Sequence, residues 1–135
     1  MTTPAWKNEY AVGIEDIDHQ HQYFFLLIQR LQNLFAKGSE PRFISNLIDE
    51  LVKYAVFHFK SEENIMEYRA YPHLMEHRIK HIRLIEELNI EKIRYDCGTT
   101  DSVALVAFLE RWFTSHTTTE DAKFGNFVRE LCQKG

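Results

Sequence analysis

The sequence predicts an all-α protein, an antiparallel up-down-up-down four-helix bundle with an N-terminal arm and a short C-terminal helix. Two observations predict this fold class. Apolar residues recur at alternating steps of three and four, which places them on one face of a helix. The five glycines and three prolines of the 135-residue chain concentrate at a few breaks, and no Asn-Gly or Asp-Gly dipeptide marks a hairpin.

The length and composition indicate one domain over residues 1–135. Hydrophobic residues make up 44% of the chain, which is too many for a disordered segment. The net charge is −4 and no basic stripe is visible, so no nucleic-acid partner is expected. The longest apolar run, Val103–Leu109, is far shorter than the about 20 residues of a membrane span, so no membrane partner is expected either.

The expected location is the cytoplasm. Met1–Tyr10 lacks the basic start and the apolar stretch of a secretory signal. Cys97 and Cys132 lack the spacing of a metal-binding pair, and they are expected to be free thiols in a reducing compartment.

The elements follow in order along the chain. The first sixteen residues are expected to form an arm that Trp6 and Tyr10 hold against the bundle. Four helices follow, and a short helix from Glu120 to Leu131 ends the chain. Each of the four helices has one face that is expected to point into the core, and we call these faces the inward lines. In the first helix the residues are Ile17, His21, Phe24, Ile28, Leu31 and Phe35, and in the second they are Ile44, Ile48, Leu51, Ala55, His58, Glu62 and Ile65. In the third helix they are Leu74, His77, His81, Leu84 and Leu88, and in the fourth they are Leu105, Leu109, Trp112 and His116.

Three breaks separate the four helices. Gly38-Ser39-Glu40-Pro41 supplies a helix stop, a serine cap and a proline suited to a first helical turn. Tyr71-Pro72 is the second break. The third break runs from Asp96 to Asp101, and Thr100 or Asp101 is expected to cap the fourth helix.

Polar residues on the inward lines point to a metal site. Burying five imidazoles and a carboxylate in one core is costly unless something compensates them. Partners four residues apart lie on the same face of a helix, one turn apart, and can converge on one ion. The residues are His21, His58, Glu62, His77, His81 and His116, whereas the remaining two of the seven histidines, His19 and His73, are predicted to point outward.

Asp121 is a further candidate ligand. It lies five residues beyond His116, which is about 140° further around an α-helix. The carboxylate therefore reaches the same place only near a helix end or a local distortion. Seven ligands exceed the about four that zinc takes. They suit two octahedral ions that share carboxylates, and imidazole with carboxylate suits iron.

At these positions the sequence resembles the hemerythrins, in particular the bacterial single-domain members. The resemblance covers nearly the whole chain, including the Trp6 arm and the Val12-Gly13-Ile14 turn. The matching motifs are Asp18-His19-Gln20-His21, His58-x3-Glu62, His77-x3-His81 and His116-x4-Asp121.

The resemblance implies a non-haem di-iron centre that binds O₂ reversibly, for oxygen storage, delivery or sensing, without enzymatic turnover. Its cofactors would be two iron ions, Fe²⁺ or Fe³⁺, with an oxo or hydroxo bridge, and O₂ would take the one open position. It implies that one iron is held by His77, His81 and His116, the other by His21 and His58, and that Glu62 and Asp121 bridge both.

Apolar walls around the O₂ position are also expected, because water in the pocket would promote oxidation of the iron. The candidates are Phe24, Phe25, Phe57, Trp112 and Phe113. Two positions differ from the family pattern: Phe113 replaces a frequent leucine, and Thr117 replaces a common isoleucine. These differences keep open a second hypothesis, a redox enzyme on the same centre that acts on peroxide or nitric oxide.

Three further alternatives follow from the sequence. His73-Leu74-Met75-Glu76-His77 matches the H-x-x-E-H motif of a zinc peptidase, although that reading leaves four other histidines unexplained. A partner-binding module would couple the O₂ state to a surface. If the helix register differed by one residue, Glu63 would replace Glu62 as the ligand.

Overall fold

The computed structural model describes residues 6–134, which form α-helices without any strand. A short 3-10 turn, Asn8–Tyr10, precedes the first helix. The helices are α1 (Glu15–Ala36), α2 (Pro41–Tyr68), α3 (Leu74–Asp96), α4 (Ser102–His116) and α5 (Ala122–Lys134), with a π-helical turn at Thr117–Asp121.

The first four helices form the predicted bundle. Each of them contacts its two neighbours in the ring order α1, α2, α3, α4, and the short connections make consecutive helices antiparallel. The predicted C-terminal helix is present as α5, which continues from α4 through the π-helical turn without a loop. Among residues 6–134, no helix combines the length and apolar character that crossing a membrane requires.

The helix boundaries confirm one predicted cap and contradict another. Asp101 caps α4, because its carboxylate accepts a hydrogen bond of 2.8 Å from the amide of Ala104. Ser39 does not cap α2. Pro41 is the first residue of α2, so the extended residue before it, Glu40, takes the capping position, and the Glu40 side chain makes no capping hydrogen bond.

The core has two apolar clusters separated by a polar layer. The larger cluster includes Phe24, Leu51 and Leu109, and the smaller one includes Ile17 and Met66. Along α1, His21 lies between Ile17 and Phe24 and is fully buried. The polar layer therefore crosses the bundle between two apolar blocks that exclude water from both sides.

The arm is attached as predicted, although its first five residues lie outside the described residues. Trp6 and Tyr10 both contact the ring of Phe25, with centroids 6.0 and 5.4 Å away. The amides of Val12 and Gly13 then donate to the carboxylate of Asp18, at 2.8 and 3.2 Å. These bonds fix the direction in which the arm enters α1.

Gly125 in α5 allows the arm to approach this helix closely. A Cβ atom on Gly125 would collide with the carbonyl oxygen of Val12 and would lie 3.2 Å from the Val12 Cβ atom. Val12 is 3% exposed and belongs to the smaller apolar cluster. The contact thus joins the N-terminal arm to the C-terminal helix beside the polar layer.

We predict that Gly125→Ala lowers the free energy of unfolding by about 1–3 kcal/mol, because the backbone of the arm must move, although alanine favours the helix by about 1 kcal/mol. Urea denaturation followed by circular dichroism measures this difference. Glu130→Ala, on the exposed face of the same helix, is the control and should change stability by less than about 0.5 kcal/mol. Unchanged or increased stability of the Gly125 variant would contradict the close contact.

Candidate metal centre

The seven predicted ligand residues lie together in the polar layer, and none of them is more than 9% exposed. Their donor atoms form two groups that share Glu62 and Asp121, with all atoms of a group within 4.8 Å of one another. We call them the three-histidine group and the two-histidine group. The first contains Glu62, His77, His81, His116 and Asp121, and the second contains His21, His58, Glu62 and Asp121.

The two oxygens of Glu62 face different groups. Oε1 lies 2.7 Å from Nε2 of His77 and 3.2 Å from Nε2 of His81. Oε2 lies 3.3 Å from Nε2 of His58 and 3.8 Å from Nε2 of His21. One carboxylate on α2 thus spans the distance between the histidines of α3 and those of α1 and α2.

The oxygens of Asp121 are divided in the same way. Oδ1 lies 3.2 Å from Nε2 of His77 and 3.1 Å from Nε2 of His116. Oδ2 lies 3.2 Å from Nε2 of His21. Both carboxylates therefore present one oxygen to each histidine group.

The π-helical turn explains how Asp121 reaches this position. Hydrogen bonds in a π-helix join residues five apart, so His116 and Asp121 lie one turn apart on the same face. An α-helix would have placed them about 140° apart. The local distortion that the sequence spacing required is present at Thr117–Asp121.

Two polar side chains outside the seven orient the imidazole rings. Nδ1 of His58 donates to Oε1 of Gln20 at 2.7 Å, and Nδ1 of His81 donates to Oε2 of Glu63 at 2.8 Å. A ring whose Nδ1 carries the proton presents the lone pair of Nε2, here towards the centre of the cluster. Glu63 therefore does not replace Glu62 as a ligand and pairs with His81 instead. No role for Gln20 was predicted from the sequence.

Several buried atoms of the cluster have no hydrogen-bond partner within residues 6–134. They include Oε2 of Glu62 and both carboxylate oxygens of Asp121. Pairs of Nε2 atoms also face each other, at 3.0 Å between His21 and His58 and at 3.2 Å between His81 and His116. Unpartnered carboxylate oxygens and converging imidazole nitrogens in a dry interior are the donor set of a metal site, so these residues fit bound cations.

The carboxylates and histidines of the cluster shift one another's pKa values. Burial acts to lower the pKa of His21, but Asp121 and Glu62 outweigh burial and raise that pKa to about 9. The pKa of His77 is raised to about 9 by the same two carboxylates, whereas burial dominates at His58 and lowers its pKa. Burial would raise the pKa of both carboxyl groups, but the surrounding histidines hold both well below their ordinary values.

A cavity of about 10 Å³ adjoins the cluster. We call it the centre cavity. Its volume is close to the about 10–15 Å³ that one water molecule needs. It is lined by His58, Phe59, Leu84, Trp112, Phe113, His116, Thr117 and Asp121.

The residues predicted as apolar walls lie in different places relative to the cluster. Trp112 and Phe113 line the centre cavity. Phe24 and Phe25 are buried behind Phe113, with ring centroids 4.9 and 5.0 Å from it. Phe57 is wrong as a wall residue, because it is 56% exposed.

Phe59 takes the place that Phe57 was expected to occupy. It lines the centre cavity and stacks on the ring of His81 with the centroids 3.9 Å apart. Residues 57 and 59 flank His58 on opposite sides of the helix, about 100° away in each direction. Only the packing of α2 against its neighbours decides which of the two faces inward.

The two remaining histidines are exposed, as predicted. His19 lies on the outer face of α1. His73 and Glu76 are 60% and 72% exposed and pair with each other at 3.5 Å. His77 alone of the H-x-x-E-H motif reaches the interior. The zinc-peptidase hypothesis is therefore wrong, because within residues 6–134 the groups of converging donor atoms contain His77 but neither His73 nor Glu76.

Comparisons with known proteins agree with this geometry. Residues 12–128 match the hemerythrin HHE cation binding domain family. Bacteriohemerythrin from Pseudomonas aeruginosa strain LESB58 is 31% identical over 129 residues, which cover 96% of this chain and 84% of the relative. Bacteriohemerythrin from Clostridium acetobutylicum is 30% identical over 127 residues, 89% of this chain and 97% of that protein.

More distant relatives share the fold. Myohemerythrin from Riftia pachyptila is 28% identical over 120 residues, with 89% of each chain covered. A crystal structure of a hemerythrin leucine-to-alanine mutant superposes with a TM-score of 0.81 and 25% identity, covering 93% of this chain and 97% of that one. The match extends over the arm, the bundle and α5, so the chain belongs to the hemerythrin family.

Proposed function

We propose that this protein is a non-haem di-iron protein that binds O₂ reversibly, rather than an enzyme. The observation that carries the proposal is the division of the carboxylate oxygens, because Glu62 and Asp121 each present one oxygen to each histidine group. Two carboxylates placed in this way can bridge two metal ions. Imidazole and carboxylate ligands suit iron.

The ligand count distinguishes the two metal positions. The three-histidine group offers five ligands and the two-histidine group offers four. If one solvent-derived oxygen bridges both ions, the first ion reaches the about six ligands of an octahedral site, and the second keeps one position open. The centre cavity is lined by one histidine of each group, His58 and His116, so it adjoins both metal positions.

The two ferrous ions would supply the electrons for reversible O₂ binding, and the chain supplies the surroundings. Phe59, Trp112 and Phe113 line the centre cavity of about 10 Å³, which is room for a molecule the size of water. Gln20 and Glu63 hold His58 and His81 so that their Nε2 atoms point to the metal.

We also infer a cytoplasmic location. Cys97 and Cys132 are exposed free thiols, and exposed unpaired thiols are typical of a reducing compartment. Removal from the reducing cytoplasm would expose both cysteines to oxidation.

The first prediction tests the function directly. The purified chain loaded with Fe²⁺ without oxygen should contain two iron atoms, and O₂ should produce an absorption band that disappears when O₂ is removed. Metal analysis and an optical titration measure both results. Irreversible conversion to a ferric form after a single exposure would contradict reversible binding.

The second prediction tests the ligand assignment. His81→Ala should lose at least one of the two iron atoms, because it removes a buried Nε2 donor from the three-histidine group. His73→Ala should retain both, because His73 is exposed and its side chain contacts Glu76 and Tyr71 rather than the cluster. Iron analysis after desalting compares the two variants, and equal loss in both would overturn the assignment.

The third prediction concerns pH. His21 and His77 have pKa values raised to about 9, so both carry protons at pH 7.5 and must lose them to bind metal. Metal binding should therefore release protons at pH 7.5, and the release should decrease as the pH rises through about 9. Titration of the unbuffered apoprotein with Fe²⁺ under anaerobic conditions and a pH indicator measures this release.

The raised pKa values of His21 and His77 also predict how the stability of the apoprotein depends on pH. The stabilisation that they provide is fully present below the ordinary histidine pKa of 6.5, and it is lost as the pH rises through about 9. Thermal unfolding of the apoprotein at pH 6 and pH 9.5 should show the loss. Equal stability at the two pH values, together with no proton release, would contradict the charge distribution.

A further inference from the structure

Thr117 has a buried hydroxyl group that the fold does not use. It is the first residue of the π-helical turn, is 1% exposed and lines the centre cavity. Its Oγ1 atom has no hydrogen-bond partner within residues 6–134. Burying a hydroxyl without a partner costs about 1–3 kcal/mol, so the burial of this hydroxyl requires an explanation.

The neighbouring threonines show that a backbone carbonyl oxygen of the helix could have accepted a hydrogen bond from the Thr117 hydroxyl. The hydroxyl groups of Thr114, Thr118 and Thr119 each donate to the carbonyl oxygen four residues earlier, which is a common arrangement for threonine in a helix. Their acceptors are Glu110, Thr114 and Ser115, at 2.9, 2.7 and 2.6 Å. Thr117 is the exception in this run, and it is also the one that faces the interior.

The other walls of the centre cavity offer a ligand no free donor. Phe59, Leu84 and Phe113 are apolar, and the indole N–H of Trp112 already donates to the carbonyl of Leu84 at 3.0 Å. The remaining walls are His58, His116 and Asp121, which belong to the metal cluster. A molecule in the cavity therefore adjoins both the cluster and Thr117, whose buried hydroxyl has no partner within residues 6–134.

We propose that Thr117 is a ligand-selecting residue, whose hydroxyl donates a hydrogen bond to a small inorganic ligand with an acceptor atom that occupies the centre cavity beside the metal cluster. The proposal rests on the proposed di-iron function and deepens it. The centre cavity has about the volume of one water molecule, so about one heavy atom of such a ligand fits inside it. Azide is a suitable probe of this class, because its terminal nitrogen accepts hydrogen bonds.

The test compares azide binding by the iron-loaded, oxidised protein and three variants. Thr117→Val keeps the shape and removes the hydroxyl, and it should weaken azide binding about fivefold to tenfold, the effect of one hydrogen bond. Thr117→Ser keeps the hydroxyl and should bind azide within about twofold of the original protein. Thr118→Val is the matched control, because the exposed Thr118 hydroxyl bonds only within its own helix, and it should bind azide unchanged.

A second readout uses the apoprotein. If the Thr117 hydroxyl has no partner inside the protein, Thr117→Val without iron should unfold at the same temperature as the original protein or at a higher one. A clear decrease in that temperature would show that the hydroxyl bonds within the fold, and it would overturn the proposal. Azide affinity of Thr117→Val equal to or above that of the original protein would also overturn it.

The two proposals fail in different ways. If the original chain takes up no iron, the di-iron function is wrong, and the role of Thr117 falls with it. If the chain takes up two iron atoms and binds azide, and Thr117→Val does so equally well, only the role of Thr117 is wrong. Iron content measured on every variant separates these outcomes.

Discussion

The burial of two carboxylates, Glu62 and Asp121, is the constraint on which the rest of the structure depends. An isolated carboxylate in an apolar interior is so unfavourable that it normally takes up a proton. Here the surrounding histidines keep both pKa values low instead. Five imidazoles from four helices are needed to surround the two groups, so the bundle must bring all four helices to one level.

The layered core follows from this constraint. Apolar clusters lie on both sides of the polar layer, and they keep water away from charges that attract one another more strongly in a dry environment. The π-helical turn is the other adjustment, because a regular α-helix would turn Asp121 away from His116. Thr117, the first residue of the same turn, is also buried, so the Asp121 carboxylate and the buried hydroxyl belong to one short segment.

Most of the fold and six of the seven cluster residues could be predicted from helical periodicity. Asp121 departs from that periodicity, and only a local distortion such as the π-helical turn brings it to the cluster. The i, i+4 pair of His58 and Glu62 stays on one face whatever the neighbouring helices do. Phe57 could not be distinguished from Phe59, since both flank His58 and only tertiary packing selects between them. Ser39 failed as a cap because Pro41 fixed the start of α2. The roles of Gln20 and Glu63 depend on distances between helices, which a single sequence does not contain.

The protonated histidines explain how such a cluster can fold before any metal binds. His21 belongs to the two-histidine group and His77 to the three-histidine group, and each has a pKa raised to about 9. At neutral pH a proton on His21 and a proton on His77 add one positive charge to each group, and these two charges offset those of the two carboxylates. A metal ion that enters either group takes over the charge of the proton it displaces. The fold is thus compatible with both the protonated, metal-free cluster and the metal-bound cluster. Because metal ions compete with these protons, the apparent metal affinity is lower at neutral pH.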